Sequence, residues 1–218
     1  MRIVRSPLSF PAAWLLTTFL LGPTGPSLAG DGVVEINQAT VLAEGVTSGD
    51  AEGFPVTISE PGSYRLTGNL TVPDENTNGI EITVQDVSID LSGFAILGPT
   101  LCTGDPFVDS CSPTGTGTGV LASGIEGFSV INGAISGMGR NGIPATAVSG
   151  RGRIEKLNVH DNARTGITTF GGLITGCQAH RNGANGISGA GSFISENEVF
   201  QNGVAGIFGS DDGHHQRD

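Results

Sequence analysis

Residues 182–207 read NGANGISGAGSFISENEVFQNGVAGI, and the NGANGI at the start of this stretch returns as NGVAGI 20 residues later. Extended in both directions, the 20-residue register aligns three consecutive copies without a gap. Ile154, Ile174 and Ile194 share one column, Leu157, Cys177 and Asn197 a second, and Val159, Ala179 and Val199 a third. Asn162, Asn182 and Asn202, then Gly166, Gly186 and Gly206, then Ile167, Ile187 and Ile207 complete the repeat. A period of about 20 to 50 residues marks an architecture in which no unit buries its apolar face without its neighbours.

Inside a unit the apolar residues come in short alternating pieces. Leu157 and Val159 sit between polar neighbours, a glycine turn follows, and then an isolated isoleucine. This is strand periodicity, with no helical stripe. Leucine-rich repeats, the nearest rival, demand a leucine pattern that is missing. Three short strands and three turns per unit meet the requirement when each strand pairs in parallel with its counterpart about 4.8 Å above and below. The expected fold is all-β, a parallel β-helix with one repeat per rung. In this reading the glycines supply corners with φ > 0 and the isoleucines fill the interior. The asparagines tolerate a left-handed corner while their amides bond their equivalents in neighbouring rungs.

The rungs stand as NVHDNARTGI (158–167), QAHRNGANGI (178–187) and EVFQNGVAGI (198–207). They resemble the right-handed parallel β-helix proteins of the pectate-lyase-like group. Looser rungs follow the same pattern at 79–98 and 119–137, so the resemblance covers roughly residues 64–208. It implies a right-handed coil, and an active groove, where there is one, along an outer face. Because this fold hosts many activities, function has to be argued from the site.

Ahead of the rungs, residues 1–29 read as a secretory signal. Arg2 and Arg5 form the positive start, residues 12–21 (AAWLLTTFLL) the apolar centre, and Ser27, Leu28 and Ala29 the cleavage site. The apolar run falls short of the roughly 20 residues of a membrane span. A chain cleaved after Ala29 and either secreted or periplasmic is expected, with no span in its mature part. Residues 30–62 are expected to cap the first rung, 63–208 to form the β-helix, and 99–119 to be a corner-loop insertion. Residues 209–218 are expected to be a polar tail. With no second cap visible there, either an incomplete chain or a stack closed by a partner is expected, the former favoured.

Ten basic residues face 21 acidic ones, a net charge of −11, and two of the ten basic residues lie in the leader. Such a surface repels nucleic acid, and a polyanionic substrate would need a bridging cation. In an exported chain, Cys102 and Cys111 bracket a loop rich in turn formers (CTGDPFVDSC) and are expected to pair. Cys177, in an interior column, is expected to be a buried apolar residue.

One outward column carries candidate chemistry. His160, His180 and Phe200 are three rungs of it, with Asp161, Arg181 and Gln201 beside them. Imidazoles beside an acid and a guanidinium can hold a metal, shuttle a proton or, with Phe200, stack on a sugar. His160, His180, Arg181 and Asp161 are the catalytic candidates, and Phe200 the substrate-binding candidate, against the blander reading of a solvated ladder. The acids Asp74, Glu75, Asp86, Asp90, Glu196 and Glu198 show no convergence in sequence. The resemblance to pectate lyases implies calcium bridging acids to a uronate only if the chain is lyase-like; no cofactor is otherwise expected. Residues 210–216 (SDDGHHQ) echo polygalacturonase motifs, but those motifs lie on separate rungs in that family, and a polar tail is the better reading. Copper-site maturation, another role for proteins resembling this fold, finds little support in four histidines. The leading expectation is an extracytoplasmic interaction module contacting polysaccharide or an envelope glycan. The rival is a polysaccharide lyase, glycoside hydrolase or epimerase working on an outer face.

Overall fold

Strands of two to four residues with one apolar side have nowhere to bury it except a shared interior. In the computed structural model, which describes residues 32–209, they do so on three faces of a single coil. On the first face the inward column runs Val34, Tyr64, Ile89, Val130, Ile154, Ile174, Ile194, every step a parallel pairing. On the second it runs Leu70, Ile96, Ile135, Val159, Ala179, Val199. The third carries Val56, Ile80 and Val120, then Ile143, Ile167, Ile187 and Ile207. From Ile154 onward these pairings keep the 20-residue register of the sequence. Longer strands carry on round the corners, as Ile143–His160 and Ile167–Thr175 do, with irregular register where the first of them bends between Ala145 and Arg153. The isoleucines at 143, 167 and 187 are fully buried, each worth about 1.5–3 kcal/mol relative to exposure.

The corners correct two expectations. The left-handed residues are not the asparagines but their predecessors, Asp161 (φ 52°), Arg181 (φ 52°) and Gln201 (φ 54°). The asparagines themselves turn inward, and Asn162 and Asn182 are fully buried. There the Asn162 Nδ2 donates to Asn182 Oδ1 at 2.9 Å, and Asn182 Nδ2 to Asn202 Oδ1 at 3.0 Å. Each amide oxygen also takes a backbone N–H, from Met138 to Asn162, from Asn162 to Asn182 and from Asn182 to Asn202. Nor do the repeat glycines at 166, 186 and 206 adopt φ > 0. At Gly166 a Cβ would sit 2.8 Å from Asn182 Nδ2, and at Gly186 2.7 Å from Asn202 Nδ2. These two are glycine because the next rung fills the space of a side chain, with a ladder amide at both, the Gly186 carbonyl at Gly166 and Val199 Cγ1 at Gly186.

At the N-terminal end, Val33–Ile36 is already a strand of the first face and Val56–Ile58 of the third. Between them the helix Gln38–Ala43 starts on Asn37, whose side chain accepts the N–H groups of Ala39 and Thr40. Val41 on this helix is fully buried in the core. Gln38 meets the edge of strand Leu70–Thr71. Its Oε1 accepts from Thr71 N at 2.8 Å and its Nε2 donates to Thr71 O at 3.3 Å, so one side-chain amide does the work of a neighbouring strand.

The insertion at 99–119 is not a plain corner loop. Leu101–Thr103 and Ser110–Ser112 form an antiparallel hairpin closed by the Cys102–Cys111 disulfide. The hairpin folds against the corners of later coils: a Cβ on Gly183 would lie 3.0 Å from Cys111 Sγ, and one on Gly203 3.2 Å from Val108 O. Cys177 is buried and unpaired, and burial pushes its thiol up to about 11. Residues 1–31 and 210–218, which hold the expected leader (1–29) and all but the first residue of the expected tail (209–218), lie outside the described residues. Among the described residues no helix is long and apolar enough to cross a membrane.

Asn182→Ala strands the donors of Asn162 and the oxygen of Val159 in a dry interior. A loss of about 2–4 kcal/mol in urea unfolding is expected. Ile187→Asp buries an unpaired carboxylate, and a chain that kept its far-UV dichroism and melting temperature with this change would disprove the register.

Candidate functional site

The second face brings His160, His180 and Phe200 into one stack. The two imidazoles lie 4.9 Å apart and nearly parallel at 7°, and His180 and Phe200 lie 4.8 Å apart at 3°. Strand spacing dictates this geometry, since equivalent residues on adjacent rungs are about 4.8 Å apart. It also restricts chemistry, because rings stacked on each other present edges to solvent and keep their faces for one another. Phe200, at the end of the stack, is 39% exposed.

Asp161 and Arg181 join the stack through the left-handed corner. His160 Nδ1 lies 2.9 Å from Asp161 Oδ2, and Arg181 Nε donates to Asp161 Oδ1 at 3.2 Å. The rest of the guanidinium turns to the hairpin, donating to Cys102 O at 2.5 Å and Gly104 O at 3.3 Å. Arg181 therefore clamps the disulfide hairpin to the coil. The carboxylate holds Nδ1 of His160, the arrangement that orients the imidazole of a general base.

His180 is held differently. Its Nε2 lies 3.0 Å from Asn158 Oδ1, an acceptor, which places the proton on Nε2 and leaves Nδ1 buried without a partner. Burial, and then the nearby His160, push its pKa below the ordinary 6.5; Arg181 acts in the same direction, while Asp161 and Glu198 oppose it. The fold thus prefers neutral His180.

The acids do not come together. Asp90 accepts from Ser92 N and Asn132 Nδ2, and Asp74 from Asn76 N and Thr77 Oγ1, bonds that hold turns and keep the Asp74 carboxyl below its usual range. Glu198 accepts from Gln178 Nε2 at 2.8 Å. Asp86 and Glu196 are left-handed corner residues. Among the described residues no group of three or more His, Cys, Asp or Glu is placed to hold a metal ion.

A second candidate site went unread in the sequence. The third face carries a groove of about 490 Å³. Its floor is formed by Leu121, Pro144 and Thr168, outward residues of neighbouring rungs, and its walls by the corner turns at 76–78, 116–118 and 140–141. The TGTGTG run builds one wall. A Cβ on Gly115 or Gly117 would lie 2.3 Å from Glu75 O or 2.4 Å from Thr77 O, so the glycines pack on the neighbouring turn while Thr116 and Thr118 line the groove. Asn78 Oδ1 fixes Thr118 through its N–H at 2.8 Å and its hydroxyl at 3.0 Å. The alternation of glycine and threonine was the available signal; the three turns that meet there are too far apart in sequence for any motif to link them.

Because the unfolded chain protonates His180 more readily than the fold does, this residue's contribution to stability is full above pH 6.5 and declines as pH falls through that value. Its imidazole should titrate below 6.5 by NMR. His180→Phe, which preserves the stack, should lose less melting temperature than the parent between about pH 7 and pH 5.

Comparison with known proteins agrees with the coil. Residues 63–215 match the family described as right-handed beta helix region, which is most of the chain. No curated protein and no solved structure matches. With parallel rungs stacked through the described part of that span, the chain belongs to the right-handed β-helix family.

Proposed function

We propose that this β-helix is an extracytoplasmic interaction module that binds carbohydrate on its outer surface. The observation that carries this reading is the groove on the third face. Sugars offer hydroxyl edges and apolar C–H faces, and the groove answers both, with amides and hydroxyls on its walls and Leu121 and Pro144 in its floor. The Cys102–Cys111 disulfide and the leader-like N-terminus are compatible with life outside the cytoplasm. On the second face, Arg181 is spent on the hairpin and the rings on one another, which favours architecture over turnover there.

A second reading, a polysaccharide lyase, hydrolase or epimerase, is favoured by one observation: the contact of His160 Nδ1 with the Asp161 carboxylate.

Affinity electrophoresis and turnover assays with neutral and acidic polysaccharides, with calcium or with chelator, separate the two. Retardation without new reducing ends or unsaturated products is expected. Retardation by none of them removes the carbohydrate reading. Product establishes the second reading, and product undiminished in a His160→Ala, His180→Ala double variant places catalysis elsewhere.

A further inference from the structure

The disulfide hairpin sits lightly on the coil. Within residues 101–112 the buried side chains are Cys102 and Val108. Both sulfurs face the corner of the asparagine ladder, Cys102 Sγ at 3.6 Å and Cys111 Sγ at 3.8 Å from Asn162 O. The polar tie to a later coil is Arg181, whose guanidinium donates to Cys102 O and Gly104 O. An element with so few buried contacts lies at the low-stability end of a structure, so its docking depends heavily on that guanidinium.

Arg181 in turn stands in a cluster of titratable groups. Among the described residues its acidic partner is Asp161, and that carboxylate is shared. Oδ1 takes Arg181 Nε at 3.2 Å while Oδ2 lies 2.9 Å from His160 Nδ1. His180, stacked on His160 at 4.9 Å, has no place for a second proton. Its Nε2 meets Asn158 Oδ1 at 3.0 Å, and its Nδ1 is buried with no acceptor. On its other side the stack continues to Phe200, and Glu198 on that rung is bonded to Gln178 Nε2. The hairpin adds Asp105 and Asp109, neither of which pairs with Arg181 among the described residues. A charge on His180 therefore stands beside the Arg181 guanidinium while both oxygens of Asp161 are already engaged. Burial first, then His160, then Arg181 hold the His180 pKa below 6.5, against Asp161 and Glu198. Such coupling is reciprocal: if Arg181 beside the stack disfavours the imidazolium, the imidazolium disfavours Arg181 beside the stack.

We propose that the hairpin is an acid-released latch: protonation of His180 drives Arg181 off Cys102 and Gly104, and the disulfide-closed loop lifts from the corners at 183 and 203 while the coil stays wound. In the closed form His180 is neutral. In the open form Arg181 has moved away and Nδ1 reaches water, so this form takes up the proton more readily. Docking is strongest at neutral pH and weakens as pH falls through the His180 titration, by at most about tenfold per pH unit, the limit for one proton. The coil itself is held by ladder amides and isoleucines, which do not titrate. Opening uncovers Asn162 O and the glycine corners beneath the loop.

The sulfurs report the latch, because the closed form shields them against Asn162. The test is the rate at which a water-soluble phosphine reduces the Cys102–Cys111 disulfide of the full chain between about pH 7 and pH 5. Each rate is divided by that of an unstructured peptide disulfide, which removes the reagent's own pH dependence. The normalised rate is expected to rise at least about fivefold toward acid, within the one-proton limit, with the far-UV dichroism unchanged. His180→Phe, which keeps the stack, should stay slow throughout, and Arg181→Gln should be fast throughout. A flat profile in the parent overturns the proposal whether or not the variants fold. So does an equal rise in His180→Phe, a slow Arg181→Gln, or a rise accompanied by loss of the coil's dichroism, which marks global unfolding instead of release.

Discussion

A primary amide buried without partners costs about 1–3 kcal/mol or more for each unmet group, and this protein buries three of them in a row. Asn162, Asn182 and Asn202 escape that penalty only when the coils stack in one register, because each amide takes its donor or acceptor from the rung beside it. Hydrophobic burial alone would tolerate a slipped coil, since one isoleucine packs on another much as on a valine. The amides do not. They convert a generic apolar column into one with a defined vertical alignment, and the glycines at 166 and 186 leave room for them beside the atoms of the next rung.

The outer surface follows from that alignment. Once rungs are in register, equivalent outward residues lie at strand spacing, so side chains form columns whether or not function requires them. Stacked His160, His180 and Phe200 are such a column, and so are Pro144 and Thr168 on the third face. The difference between the two faces lies in what the corners do. Beside the rings, the corner residue Arg181 turns to the hairpin and closes the surface. Beside Pro144, the corner turns at 76–78, 116–118 and 140–141 pack on one another and rise as the wall of a trough.

Much of the fold was readable because the repeat is in phase: Ile154, Ile174 and Ile194 recur at the interval at which they pair. The outward position of His160 and His180 followed from strand alternation, and the Cys102–Cys111 pairing from its short, turn-rich loop. Two kinds of information were not available. The glycine columns were misread because freedom at φ > 0 and absence of a Cβ belong to the same residue, and a sequence does not say which is being used. Contacts set by the insertion were invisible, since Arg181 reaches Cys102 across 79 positions and no periodicity encodes where a hairpin lands. Gln38 beside Thr71 is of the same kind, a side chain standing in for a strand.

In a solenoid each coil touches its neighbours alone, and such stacks unravel piecemeal from an end. The disulfide hairpin alters that expectation here. It leaves the coil near residue 101 and rests on corners at 183 and 203, held by Arg181, so it ties an early turn of the spiral to late ones. The tie bridges rungs that otherwise communicate only in series. Late coils cannot peel away without giving up the hairpin's contacts, and the hairpin cannot dock until the chain has been wound as far as those corners. The crosslinked loop thereby lends a quasi-one-dimensional stack some of the all-or-none character of a globular domain, and makes its docking a late event in folding.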